Sequence, residues 1–586
     1  MTAAVPSGMS PEPWLETMAG DSPVLLIAPH GGRAGEAARA MLHPKVNDLY
    51  TAEITRELAA RLRASALINA AMDRNQLDCN RIPQLAAQAP WMLDLIADRL
   101  EAIVDRFGRV IVLLIHGWNI IEPRIDFGIG VRRRGDELLP VGSARVSASD
   151  EFINGPMAAL ARRLRMAGIE SSFGMRYPAG GINNLVQAFT ERHRESEIPA
   201  LRRIASIASE RKVDTAQLEL SVSVRMEGPL RRGCLDAIAE TFSPAPAGAS
   251  GERSALQIVR TARPAARVKP SPAPVVPSRV GLEFYDPQSR IGAMASFDVG
   301  APRFGARIMM IVGERRVILC TCEGTTARES DRLALGPLSL ALRGDSLALR
   351  FSGPAVVVPD GSKYLSIENA LATGKLDPDV RVAIEVPLGA GKFDPSILFD
   401  PRSAPAGGAA LFALCEGRAR VEGIEYPLRA STRAGVSFTG LGPQRFNERR
   451  MVWAMFDGGA GSPHAIELRY VNGDDGSSHH HGRALSDVGW SGLRVERLAI
   501  ETSAPDTPPH RLEAAALDAA GDRLDLRGIP LAFVPLSRPG PNGSRIYTSL
   551  GFGTYRWGDR MGCGMFEYSR RAQGRESSEE ADSDSD

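Results

Sequence analysis

The stretch SPAPAGASGERSALQIVRTARPAARVKPSPAPVVPS, residues 243–278, is rich in Pro, Ala and Ser and shows no sustained hydrophobic period, which marks a semi-extended linker. The apolar pattern differs on its two sides. Before it, runs of buried-strand type, PVLLIAP, RVIVLLI and LELSVSV, alternate with helical patterns. In TAEITRELAARL, Ile54, Leu58 and Leu62 recur at helical spacing, and WMLDLIADRLEAIVDRF places Leu93, Ile96, Leu100, Ile103, Val104 and Phe107 on one broad face. Alternating strand and helix predicts an α/β half. After it come short alternating runs cut by Gly, Pro, Asp and Asn: RIMMIVG, RRVILCTC, LSLALRGDSLALRF, RVAIEVPL, HAIELRYV and RLAIET. These predict an all-β half of one large or two tandem barrels or sandwiches, with a hairpin around Gly344-Asp345.

A chain of 586 residues is too long for one core. The expected division is a flexible segment over 1–21, an α/β domain over 22–242, the linker 243–278, all-β structure over 279–570, and an acidic disordered tail over 571–586. With 70 Lys+Arg against 69 Asp+Glu, nothing in the charge balance predicts a nucleic-acid partner. No apolar run reaches the roughly 18–20 residues of a spanning helix, and the N-terminus lacks the basic start and apolar centre of a signal peptide. The expected location is cytoplasmic. The six cysteines are scattered without CxxC spacing, and Cys320 and Cys322 fall on one face of a strand, so reduced buried thiols are expected.

Nine histidines occur, and four lie in the first half: His30, His43, His116 and His193. His30 in PVLLIAPHGG and His116 in VIVLLIHGWN each follow an apolar run and precede glycine. Strand carboxyl ends form the ligand crevice of an open α/β sheet, so two imidazoles there would converge. Either one alone reads more simply as a strand-end residue bonded to a nearby carbonyl. The His-Gly pair also fits the oxyanion loop of a serine hydrolase, but the G-x-S-x-G elbow that chemistry requires is absent. A metal site instead needs a third ligand, preferably a carboxylate, and an open position. KVNDLYTAEITRELAARL offers Asp48, with Glu53 second. Both also suit the first turn of a helix, where acids favour the dipole.

DRNQLDCNR, residues 73–81, gathers Arg74, Asp78, Asn80 and Arg81, which suits either capture of an acidic substrate or a surface loop of internal ion pairs. AQLELSVSVRMEG reads as an alternating strand that puts Glu219 on a face with Gln217 and Ser221. There it can act as a general base, or simply face solvent from an edge strand. RYPAGGINNL suits a substrate-admitting loop or a plain turn around Gly180-Gly181. The run His479-His480-His481 reads as part of a polar loop with adventitious metal affinity at most.

The order PHGG, NDLYTAEI, DRNQLDCNR, LLIHG, YPAGG and QLEL over residues 22–242 resembles the N-formylglutamate amidohydrolase family, within the wider zinc carboxypeptidase-like fold. The resemblance implies a mixed sheet flanked by helices and a zinc held by His30, Asp48 and His116. It further implies Glu219 as general base, Asn80 and Arg81 on a substrate carboxylate, and Arg74 on the scissile carbonyl or that same carboxylate. The activity implied is hydrolysis of an amide in an N-formyl or N-acyl amino acid or a gamma-glutamyl compound, so the partner is a small acidic substrate. The segment RIYTSLGFGTYRWGDRMGCGMFEYSRR resembles lipocalin-like double-barrel proteins that include carotenoid hydratases. The second reading is a non-catalytic binding or scaffold protein with a degenerate hydrolase domain and a β half that holds an apolar ligand.

Overall fold

A computed structural model describes residues 12–35, 45–243, 257–258, 279–299, 304–324, 327–389, 393–400, 409–437, 446–456, 464–486, 489–504, 507–539 and 544–572. The chain divides into two compact units, one built mostly from residues up to 268 and the other mostly from residues beyond it.

The first unit is built on β1 (Leu15–Met18), β2 (Val24–Ala28), β3 (Ser65–Asn69), β4 (Val110–Trp118), β5 (Arg124–Gly128), β6 (Val131–Arg134), β7 (Glu137–Pro140), β8 (Glu170–Phe173) and β9 (Val213–Ser221). Seven of these form one sheet in the order β1-β3-β2-β4-β9-β5-β8. Strands β3, β2, β4 and β9 run parallel, while β1 and β5 are antiparallel to their neighbours β3 and β9, so the sheet is mixed. Both faces are covered, which is why its central strands read as unbroken apolar runs. Val24, Leu26, Ile111, Leu113 and Ile115 point to a core shared with the helices Thr51–Leu62 and Pro229–Phe242. The alternate residues Leu25, Ile27, Val112 and Leu114 face a second core with Pro90–Phe107 and Pro199–Ser209. Strand periodicity thus distributes one sequence run between two cores.

Three sequence expectations change here. Leu15–Met18 pairs with Ser65–Asn69 and so belongs to the sheet rather than to a flexible segment 1–21. The run LELSVSV is strand only as far as Ser221, after which Val222–Arg225 turns helical. Arg225 folds back to donate to the Leu220 carbonyl, which ends the extended run. Within the expected linker, Gln257–Ile258 forms β10, parallel to β7; the rest of 244–278 lies outside the described residues.

The second unit is all-β apart from short helices such as Ile367–Thr373. Its first sheet comprises β11 (Arg279–Asp286), β12 (Ile291–Asp298), β13 (Phe304–Val312), β14 (Arg316–Gly324), β15 (Ala327–Arg328), β16 (Arg332–Leu335), β17 (Leu338–Arg343), β18 (Ser346–Val358), β19 (Lys375–Pro387), β20 (Ala409–Val421) and β21 (Ile424–Ser437). Pairing of β14 with β18 closes eight of them into a ring, and β15 to β17 extend from β18. A second ring of eight follows: β22 (Phe446–Phe456), β23 (His464–Gly473), β24 (Ser478–Ser486), β25 (Gly489–Glu501), β26 (Arg511–Leu517), β27 (Arg523–Pro539), β28 (Arg545–Trp557) and β29 (Arg560–Ala572). Closure leaves neither ring an open edge strand. The β17–β18 hairpin turns at Gly344, whose φ of 59° needs glycine, and Asp345. Strand β29 runs two residues beyond the expected boundary at 570, and 573–586 lie outside the described residues. His479-His480-His481 open β24 rather than a loop. Strand alternation therefore sends His480, edge to face with Tyr470 at 5.0 Å, to the side opposite His479 and His481.

The two barrels meet through outward faces. Tyr285 stacks on Phe552 with ring centroids 5.2 Å apart, and Gly292 leaves room for that Phe552 ring. Beside this apolar contact lies an ionic network: Arg433 of β21 binds Glu283 and Glu467 at 3.0 Å each, and Glu467 also accepts from Nε of Arg469 at 3.0 Å and Arg483 at 2.8 Å. Burial raises the Glu467 carboxyl, but the three guanidiniums outweigh it and hold the group well below the ordinary range. A carboxyl depressed in this way stabilises the fold above its unfolded value of 4.5 and loses that contribution as pH falls below it. Glu467→Gln should therefore lower stability by about 3 kcal/mol at neutral pH and flatten the loss of stability between about pH 4.5 and 3. Urea unfolding of both proteins across that range checks this, and parallel curves would rule out a structural role for the charge.

Candidate metal centre

His30 and His116 follow β2 and end β4, which are parallel neighbours, so strand pairing alone carries both imidazoles to the same sheet edge. Their rings meet edge to face with centroids 4.9 Å apart. Asp48 reaches the same point from the turn before helix Thr51–Leu62. Its backbone carbonyl caps that helix by accepting from Thr51, which leaves the carboxylate free to turn inward. Asp48 Oδ2 stands 3.2 Å from His30 Nδ1 and 3.3 Å from His116 Nδ1, and accepts from the Gly117 amide at 2.9 Å. All three residues are buried. Glu53, the second-ranked ligand, instead pairs with Arg33 at 3.0 Å and is not part of the cluster.

Glycine follows each histidine because the backbone is crowded there. A Cβ on Gly31 would lie 2.5 Å from the Asn69 carbonyl oxygen, and one on Gly117 would lie 2.7 Å from the Arg225 guanidinium carbon. Arg225, fully buried, donates to the carbonyls of Leu49, Trp118 and Leu220 and so ties the Asp48 turn to the ends of β4 and β9.

Hydrogen-bond chemistry limits what the cluster can hold. Asp78 Oδ1 lies 2.7 Å from His30 Nε2 and takes that N–H. Burial raises Asp78, but His30, Arg74 and Lys45 outweigh it, so it remains an acceptor-only carboxylate. With a single proton, held on Nε2, His30 would aim the Nδ1 lone pair at the lone pairs of Asp48. His116 is pushed down to about 4, chiefly by burial, so it is neutral and has one N–H for two nitrogens. Its Nε2 is buried without a partner. A cation among the two Nδ1 atoms and Asp48 would remove that conflict at His30. The three donor atoms all lie within 4.8 Å of one another, and the two N···O separations match the roughly 3.3 Å edge of a tetrahedron with 2.0–2.1 Å bonds to zinc. The residues fit a divalent metal.

Around this triad the sequence motifs interlock. Asn47 donates to Asp73, and its side-chain oxygen accepts from the Arg74 amide, which clamps KVND to DRNQLDCNR. Arg74 Nη1 lies 3.3 Å from Asp48 and Nη2 lies 3.7 Å from Asp78, so its first role is to hold these two carboxylates. Asn80 keeps a buried side-chain oxygen without a partner, while Arg81 is exposed at the start of helix Ile82–Gln88. Glu219 lies on the central strand β9, in register with His116 on one side and Asp126 on the other. It is buried, not solvent-facing, and its Oε1 accepts from Gln217 at 2.6 Å. Burial, then repulsion from Asp48, raises its carboxyl well above the ordinary value. Gln217 in turn meets Asn184 of the RYPAGGINNL loop at 3.5 Å.

Sequence reasoning placed Asp78 only within the DRNQLDCNR constellation, with no part at the metal, and assigned no role to Arg225 or Asp126. Asp126 is fully buried and accepts from the backbone amides of Met175, Arg176 and Tyr177, which fixes the start of that loop. An acid inside the apolar run RIDFG was the available signal. Arg225 gave none, because its partners are carbonyls distant in sequence. His193 stands outside the cluster, and His43 lies outside the described residues.

No family model matches the chain, and no curated protein matches it. Solved structures with remote likeness include a protein described as AttH from Nitrosomonas europaea, at 12% identity and TM-score 0.31, covering 50% of this chain and 91% of that one. Kievitone hydratase from Nectria haematococca gives 10% identity and TM-score 0.29 over 50% of this chain and 90% of its own. An N-formylglutamate amidohydrolase from Ralstonia eutropha JMP134 gives 14% identity and TM-score 0.26 over 39% of this chain and 97% of its own. At such distances a neighbour's activity does not transfer, and function has to be argued from the residues of this chain.

If Asp78 orients His30, Asp78→Ala should weaken divalent-metal binding about 10- to 100-fold while far-UV circular dichroism stays unchanged. Competition with a chromogenic chelator measures this, and unaltered affinity would remove Asp78 from the centre.

Proposed function

We propose that the first unit is a zinc-dependent hydrolase that cleaves an amide bond in a small acidic substrate, an N-formyl or N-acyl amino acid or a gamma-glutamyl compound. The observation that carries this reading is the convergence of His30 Nδ1, His116 Nδ1 and Asp48 Oδ2 in one buried cluster, with Glu219 on the strand next to His116. Zinc held there by His30, Asp48 and His116 supplies Lewis acidity for polarising a carbonyl and acidifying water.

The remaining work falls to the protein. Glu219 has one oxygen fixed by Gln217, which leaves Oε2 to take a proton from the attacking water and return it to the leaving nitrogen. Its raised affinity for protons suits a group that alternates between base and acid. Arg74 keeps Asp48 and Asp78 ionised and in place, and can turn toward a developing oxyanion only by exchanging one of those contacts. Arg81, whose guanidinium has no partner among the described residues, and Asn80 with its orphan oxygen lie where the RYPAGGINNL loop crosses the chain, since Arg81 bridges Asn184. Arg81 is suited to a substrate carboxylate, and the Asn80 amide to a further donor. No helix among the described residues is long and apolar enough to cross a membrane.

Elemental analysis of the purified protein should find about one zinc per chain, lost in the His30→Ala, His116→Ala double variant. Metal-free protein whose stability does not change on adding zinc would end the proposal. Glu219→Gln should keep the metal and lower kcat by about 10²- to 10⁴-fold, read as hydrolysis of a panel of N-formyl amino acids. Full turnover in that variant would take the proton-transfer role from Glu219.

A further inference from the structure

A general base must present one chosen oxygen, and for Glu219 that choice is made by a neighbour on its own strand. Gln217 lies two residues earlier in β9, so its side chain leaves the sheet on the same face as Glu219. Beside it in register stand Leu114 of β4, which faces an apolar core, and Gly128 of β5. A Cβ on Gly128 would lie 3.3 Å from the Gln217 Cβ and 2.6 Å from the Tyr177 carbonyl oxygen, so glycine at that position leaves the amide side chain its room. Gln217 is only 2% exposed. A primary amide in such a place is costly unless donor and acceptor are both met. Here both are: Nε2 donates to Glu219 Oε1 at 2.6 Å, and Oε1 accepts from Asn184 Nδ2 at 3.5 Å.

The direction of this chain of amides is fixed from its far end. Half a turn exchanges the oxygen and nitrogen of an amide, so the partners decide which way it points. Asn184 Oδ1 accepts from the Val186 backbone amide at 2.8 Å and caps the short helix Leu185–Phe189. A backbone N–H can only donate, so the Asn184 oxygen is held there and its nitrogen is turned to Gln217. Gln217 then offers its oxygen to Asn184 and its nitrogen to Glu219. The loop that carries Asn184 is in turn tied to DRNQLDCNR and the helix after it: the Leu185 amide donates to the Asn80 carbonyl at 3.0 Å, and the Ile82 amide to the Asn183 carbonyl at 2.8 Å.

We propose that Asn184 and Gln217 are positioning residues of this site. Asn184 sets the sense of the Gln217 amide, Gln217 occupies Oε1 of Glu219, and Oε2 is thereby the oxygen presented for proton transfer. This assignment rests on the hydrolase reading. Because backbone hydrogen bonds join the Asn184 loop to the segment of Asn80 and Arg81, the element suited to the substrate carboxylate also orients the base.

Asn184→Asp tests this by replacing one amide nitrogen with oxygen. The cap on Val186 is kept, but an acceptor now faces Gln217, which reverses that amide and sets its oxygen against Glu219. In the zinc-loaded protein, N184D should lower kcat for N-formyl amino acids about 10²-fold, with KM within about twofold of wild type. A residue that only capped the short helix would leave kcat unchanged, and that result overturns the proposal. Thermal unfolding adds a readout that needs no turnover. The shift in melting temperature that N184D causes in wild type should differ from the shift it causes in a Gln217→Met background, where no amide is left to reverse. If Q217M does not fold, Glu219→Gln supplies the second background, since an amide at 219 meets Gln217 in either sense. Turnover absent from the wild type ends the hydrolase reading and the base-positioning role with it, whereas turnover in the wild type with equal melting shifts ends the amide chain alone.

Discussion

The first unit is organised around one buried carboxylate. Asp48 sits beneath two imidazoles, with the Gly117 amide on the same oxygen, Arg74 on the other and Arg225 close behind. A carboxylate out of water is costly unless charge and hydrogen bonds surround it. Burial alone would push Asp48 up, but His30, His116 and Arg74 hold it well below the ordinary range. The glycine after each histidine, the clamp between Asn47 and Asp73, and the three carbonyls gathered by Arg225 all keep those partners in reach.

How far the sequence discloses this arrangement depends on how local each cause is. Strands β2 and β4 are legible because a strand buried on both faces must be continuously apolar, and the histidines that end them can only fall at the sheet's carboxyl edge. The barrels are legible for the converse reason, since each strand has a packed and a less packed face and so alternates. Asp48 and Glu53 could not be separated by spacing, because both suit a helix start. The distinction comes from the Asp48 carbonyl doing the capping, a backbone event invisible to residue type. Strand β1 was missed because four residues at a sheet edge carry too little pattern, and the end of β9 was missed because Arg225 folds back on carbonyls distant in sequence.

Register explains why Glu219 is a better candidate base than its sequence context suggested. In LELSVSV it could as well have faced solvent from an edge strand. Placed between β4 and β5, it has His116 on one side and Asp126 on the other, so the same alternation that set its face now sets its neighbours. Asp126 spends its oxygens on three loop amides and the Ser172 hydroxyl. The carboxylate nearest Glu219 along the sheet is therefore committed to loop structure, while Glu219 keeps one oxygen uncommitted. Two acids on adjacent strands are separated into one that holds a loop and one with an oxygen to spare by what the surrounding backbone offers each.

The same test applies to charge in the second unit. Arg433, Glu283, Glu467, Arg469 and Arg483 are numerous and buried, but each carboxylate oxygen of Glu467 is occupied by a guanidinium and every cation of the group has an anion. Such a set specifies how two barrels meet, with the Arg433 Nε left as a buried donor without a partner. Number of charges is thus a poor guide to a binding site, and the useful quantity is the hydrogen-bonding capacity that the fold leaves unsatisfied. By that measure the Nε2 of His116 and the side-chain oxygen of Asn80 belong to one class, and the more crowded ionic network around Glu467 is scaffold.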